Sequence, residues 1–91
     1  MLTLDSKLKI PTFVSFSSIE QDTFLLNTRT NSYFVLDIVG ARFWELLTEG
    51  ISLRRLSRIL LKEFEVEETE LEKDLIELIT QLVENGLVEL H

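Results

Sequence analysis

Ninety-one residues, 45 % of them hydrophobic, suffice for one folded domain with a single small core. The chain has no cysteine, which excludes disulfides and thiolate metal sites, and its one histidine is the terminal His91, a position where fraying is the ordinary expectation. The net charge of −7 is unevenly spread: residues 1–62 carry +2 and residues 63–91 carry −9, so the last third repels phosphates and suits a basic peptide or protein surface.

The opening stretch MLTLDSKLKIPTFVSF alternates polar and apolar residues and lacks the continuous apolar core of a signal peptide. No segment reaches the roughly 18 apolar residues of a membrane span. A cytoplasmic protein with no membrane partner is expected.

Three strands are predicted first. Ile10, Thr12, Val14 and Phe16 alternate with Pro11, Phe13, Ser15 and Ser17, giving a half-buried strand over about 12–17 with Pro11 at its start, where a missing N–H costs little. SIEQD reads as a turn, and TFLLN at 23–27 as the second strand. TRTN forms a hairpin connection, with Asn31 suited to a left-handed conformation, and the third strand covers 32–36.

Helical spacing begins at residue 38, where Ile38, Ala41, Trp44 and Leu47 succeed one another. Asp37 is the predicted N-cap of a helix over 38–49 that Gly50 closes, and Gly40 lets that helix approach the sheet. Ser52 caps a second helix over 53–64, with Leu53, Leu56, Ile59, Leu60 and Phe64 on one face. TELE at 69–72 has the form of a capping box for a third helix over 70–85, with Gly86 at its end and Leu87 placed to touch Leu82. The final LVEL is expected as a short extended tail. The order is α+β, three antiparallel strands followed by three helices, the last two spaced as a helix-turn-helix. No repeat or linker divides the chain, so residues 1–91 read as a single domain.

On the third helix Leu71, Leu75, Leu78 and Leu82 form a stripe that Ile76, Ile79 and Val83 widen to about 140°, broad for packing on one neighbour. The stripe either packs against both other helices or lines a groove. Asp74 and Glu72 flank it, as solvated carboxylates near a helix N-terminus would. Arg54, Arg58 and Lys62 form a basic row on the second helix, with Arg55 beside it, most simply a solvated face.

Catalytic equipment is missing from the sequence. A nucleophile needs an activating base, and no internal His or Cys supplies one. The three glycines, at 40, 50 and 86, accompany helices and do not build a phosphate loop. No catalytic residue, metal ligand or cofactor site is predicted, and the chain is not expected to be an enzyme.

Taken together, LLNTRTNSYFVLDIVGARFWELLTEGISLRRLSRILLKEFEV and EKDLIELITQLVENGLVEL resemble the PqqD-like family of precursor-peptide recognition elements, which serve ribosomally synthesised, post-translationally modified peptides (RiPPs). The resemblance covers about residues 23–90 and is strongest to the stand-alone leader-binding proteins of lasso-peptide biosynthesis. It implies a winged helix-turn-helix fold in which a precursor's leader pairs antiparallel with the third strand, in a cleft against the third helix. By position, the backbone of Ser32, Tyr33, Phe34, Val35 and Leu36 would receive the leader. Phe34, Leu36, Leu75, Leu78 and Ile79 would wall the pocket, and Tyr33 and Val35 would cover leader residues on the opposite face. Asp74 would take a basic or hydrogen-bonding group. Which face of the strand meets the helix is left open by the sequence. The implied partners are the leader peptide, a cysteine leader peptidase and a cyclase.

Three alternatives have other signatures. A peptide chaperone of another RiPP pathway would share the fold. A purely structural interaction domain would bind a folded partner instead of a leader. A winged helix-turn-helix DNA regulator would carry basic and amide side chains on its third helix. Here that helix offers Lys73 amid Glu70, Glu72, Asp74, Glu77 and Glu84, so nucleic acid is not an expected partner.

Overall fold

A computed structural model describes residues 2–20 and 22–90; Gln21 of the expected SIEQD turn and the terminal His91 lie outside the described residues. The chain runs β1 (Leu8–Lys9), β2 (Val14–Ile19), β3 (Asp22–Asn27), β4 (Ser32–Leu36), α1 (Ile38–Thr48), α2 (Leu53–Glu63), α3 (Glu68–Glu84) and β5 (Glu89–Leu90).

Strands β2, β3 and β4 form an antiparallel sheet in that order. The first of them begins later than the alternation suggests, because Val14 N–H turns back to the Pro11 carbonyl at 3.2 Å. It also extends to Ile19, opposite Asp22. Between β3 and β4 the connection closes through Asn31, at φ +59, whose N–H donates to the Asn27 carbonyl at 2.8 Å. The register places Leu25 opposite Phe34 and Thr23 opposite Leu36. These side chains share the face that the helices cover, while Phe24, Leu26, Tyr33 and Val35 share the other.

Both predicted caps of the first two helices form. Gly40 N–H donates to Asp37 Oδ1 at 2.7 Å, and Arg55 N–H to Ser52 Oγ at 3.3 Å. A Cβ on Gly40 would stand 3.2 Å from both Leu36 Cδ2 and Asp37 Oδ1, so a larger residue would crowd the junction where α1 starts against β4. The Thr69 capping box does not form. Helix α3 begins at Glu68, with Glu67 at the N-cap and no side-chain cap bond. Glu68 and Glu70 in the first turn complement the positive end of the helix dipole, which favours the earlier start and leaves Thr69 inside the helix. At the other end, Gly86 at φ +70 allows Leu87 N–H to reach the Leu82 carbonyl at 2.8 Å, and both leucines are buried.

The tail is extended as expected, and it is also paired: β5 lies antiparallel to β1 as a separate two-stranded sheet, Leu8 opposite Leu90 and Lys9 opposite Glu89. The core lies between the inner face of the main sheet and the helices. Leu25 and Leu36 meet Phe43, Trp44 and Leu46 of α1, Leu56 and Leu60 of α2, and Leu71, Leu75, Ile79 and Leu82 of α3. A two-point ion pair of Arg42 with Glu63, at 2.8 and 2.9 Å, ties α1 to the end of α2. Among the described residues no helix is long and apolar enough to cross a membrane.

Candidate functional site

Strand β4 has one hydrogen-bonded neighbour among the described residues, β3, so its other side is a border of unpaired backbone groups. Beside that border lies a cleft of about 410 Å³. Phe34, Leu36, Leu71, Leu75 and Leu78 form its apolar floor and walls. Asp37, Val39 and Gly40 close it where β4 becomes α1, and Phe64 and Val66 of the α2–α3 connection also line it. Asp74, Glu77 and Gln81 stand along the α3 side, on successive turns of one helix face.

The cleft draws on strand, helix and connection together, and one buried polar residue joins two of them. Asn27, 3 % exposed at the end of β3, donates through Nδ2 to the Asn85 carbonyl at 3.2 Å and accepts at Oδ1 from the N–H groups of Arg29 (3.0 Å) and Thr30 (3.3 Å). It therefore holds the β3–β4 hairpin against the end of α3.

The residues singled out from the sequence separate into distinct groups. Phe34, Leu36, Leu75 and Leu78 are brought together in the cleft, with Asp74 exposed at its rim. Phe34 and Leu36 face the helices, which fixes the pleat orientation that the sequence left open. Val35 also borders the cleft, yet its side chain shares the outer face with Tyr33; they are 56 % and 72 % exposed. Ser32 is exposed at the start of β4, outside the cleft lining. Ile79 is not among the cleft-lining residues: it is fully buried in the core, because the helix turns it 100° beyond Leu78 and into the sheet and neighbouring helices.

Sequence reasoning did not assign Asp37, Val39, Gly40, Phe64, Val66, Leu71, Glu77 or Gln81 to the site, although Leu71 was part of the α3 stripe. Phe64 and Val66 carried a usable signal, two apolar residues within the otherwise acidic connection EFEVEE.

Charge around the cleft is one-sided. Asp37 is occupied by its cap bond, while Asp74 and Glu77 have no hydrogen-bond or ion-pair partner among the described residues. Arg42 is held by Glu63 and Glu45, and its hydrogen bond to Glu63 keeps that carboxyl below the usual range. Arg54 is held by Asp5, whose carboxyl its hydrogen bond and charge likewise keep low. Arg54, Arg55, Arg58 and Lys62 border a separate shallow hollow of about 490 Å³ on α2. Among the described residues the cleft lining contains no hydroxyl, thiol, imidazole or amine side chain. Nor is any group of three or more described His, Cys, Asp or Glu residues placed to hold a metal ion. What this geometry can do is take up an extended polypeptide, with backbone pairing along β4 and side-chain contacts in the cleft.

Fold and site together define an α+β domain whose three-stranded sheet has its β4 edge beside an apolar cleft. The chain belongs to the PqqD family: the family model for coenzyme PQQ synthesis protein D (PqqD) matches residues 22–88. It is similar to TbiB1, solved in complex with the TbiA(beta) leader peptide, with 33 % identity and a TM-score of 0.83 over 89 % of this chain and 94 % of that one. It is likewise similar to a lasso peptide synthetase B1 solved with its leader peptide, with 29 % identity and a TM-score of 0.83 over 91 % of this chain and 98 % of the other. No curated protein sequence matches the chain. The resemblance to PqqD-like recognition elements and the α+β order of three strands followed by three helices both hold.

Proposed function

We propose that this chain is a non-catalytic recognition element of a lasso-type RiPP pathway, which binds a precursor's leader as an added strand on β4 and presents it to a cysteine leader peptidase and a cyclase. The observation that carries the reading is the unpaired border of β4 running beside the cleft against α3, in a fold shared with two leader-peptide complexes.

In this reading the leader pairs with the backbone of Ser32–Leu36. Its inward side chains enter between Phe34 and Leu36 on one side and Leu75 and Leu78 on the other, with Asp74 at the rim. Tyr33 and Val35 cover leader residues on the outer face. Ladder hydrogen bonds contribute about 1 kcal/mol net each. Ordering a flexible leader costs about 2–5 kcal/mol, and association entropy adds to that. The ladder alone is therefore insufficient, and any extended peptide offers the same backbone. Selectivity rests on the side chains that the cleft admits.

The test is calorimetry with the leader and core halves of the precursor encoded nearest to this chain's gene. The leader is expected to bind with micromolar or better affinity and the core half not at all. Val35→Pro removes an N–H from the border strand and is expected to weaken leader binding. Unchanged affinity in a Val35→Pro variant with a native circular dichroism spectrum would argue against strand addition there.

A further inference from the structure

We infer that the cleft selects a cationic peptide segment, one that sets a Lys or Arg against Asp74 and Glu77 while apolar side chains fill the floor; this rests on the leader-binding reading above. The lining holds three carboxylates, Asp37, Asp74 and Glu77, and, among the described residues, neither Lys nor Arg. One of the three is committed, since Asp37 Oδ1 accepts from Gly40 N–H at 2.7 Å. Asp74 and Glu77 lie three residues apart on one face of α3, and Gln81 follows on the next turn. Both carboxylates are exposed and lack ionic partners among the described residues.

The neighbouring helix does not supply the missing cation. Arg42, the basic residue of α1, is held by Glu63 at 2.8 Å and Glu45 at 3.2 Å. The wider field has the same sign, because residues 63–91 carry −9. Lys73, the basic residue of α3, lies outside the cleft lining and pairs with neither carboxylate, so an acidic leader would meet like charge among the cleft's ionisable side chains and a basic one would be steered to them.

The carboxylates border the apolar floor of Phe34, Leu36, Leu75 and Leu78, and together these dictate a pattern. Alternate residues of an added strand face the same way, so the cation and an apolar anchor must lie two or four residues apart in the peptide. A Lys or Arg stem can lie along Leu78 while its charged head reaches the rim.

A displayed library of random short peptides, selected in parallel against the native chain and an Asp74→Asn/Glu77→Gln variant, tests this. Peptides recovered on the native chain are expected to carry Lys or Arg two or four positions from an apolar residue. They should bind up to about five-fold more weakly for each carboxylate removed. Rising salt should narrow the difference. If the recovered peptides lose binding on Leu78→Ala but show no basic preference and bind the double variant equally well, the charge inference is overturned while the leader reading stands. If no recovered peptide depends on Leu78 or on the β4 border, both fall.

Discussion

The side-chain amide of Asn27 donates to the carbonyl of Asn85 across 3.2 Å, joining the last residue of β3 to the C-cap of α3. The two are 58 positions apart in sequence, and their hydrogen bond sets the strand hairpin against the helix that forms the opposite wall of the cleft. Asn27→Ala removes this bond and the two that Asn27 Oδ1 accepts from Arg29 and Thr30, and it leaves a buried site at the end of β3 underfilled. A loss of about 1–3 kcal/mol is expected, read as a lower urea midpoint. A midpoint equal to that of the native chain would remove Asn27 from this role.

Neighbouring residues on α3 should report on different properties. Leu78 is half-buried in the cleft and Ile79 is fully buried in the core. Leu78→Ala is expected to weaken leader binding by about 1.5–3 kcal/mol, in proportion to the apolar surface that the shorter side chain leaves uncovered, with little change in stability. Ile79→Ala is expected to cost about 2–5 kcal/mol of stability. Arg58→Ala, on α2, should leave leader affinity unchanged; the opposite result would move the site to α2.

Two helix-ending glycines separate backbone strain from steric crowding. Gly50 has φ +81, and a Cβ there would meet nothing within 4 Å, whereas at Gly86, φ +70, a Cβ would lie 3.0 Å from Asn27 Nδ2. Gly50→Ala should therefore cost about 1 kcal/mol from backbone strain alone. Gly86→Ala adds a disturbed Asn27 bond and should cost about 1 kcal/mol more. Thermal melts of the two variants compare them directly.

Acid should release the tie between α1 and α2. The hydrogen bond from Arg42 and its charge keep the Glu63 carboxyl below its usual range when folded. A carboxylate lowered in the folded state contributes stability above its unfolded value and loses that contribution as pH falls through the folded one. Glu63→Gln should thus lower the urea midpoint modestly at pH 7, and the gap should close as pH drops below about 4. A gap that widens on acidification would contradict this.

Local chemistry made much of the fold legible. Asp37 and Ser52 are short acceptors placed just before helical periodicity begins, and both cap as their positions imply. Gly86 and Leu87 announce the end of α3 in the same way. Thr69 misled because a capping signature competes with acidic residues immediately before it, and the helix starts among those. Pairing of β1 with β5 was not legible, since two residues are too few for a period and their partners lie at opposite ends of the sequence. Within the cleft, the apolar stripe of α3 contained both Leu78 and Ile79; only the packing of the other elements decides which of them reaches the opening.

Leu8 lies opposite Leu90 and Lys9 opposite Glu89, so the polypeptide's early and late segments are clasped side by side about 5 Å apart. The clasp is not where the fold begins, because Leu4 is buried in the core and Asp5 holds Arg54. Trimming residues 2–7 would therefore uncover apolar surface and free a guanidinium on α2, even with both short strands left in place.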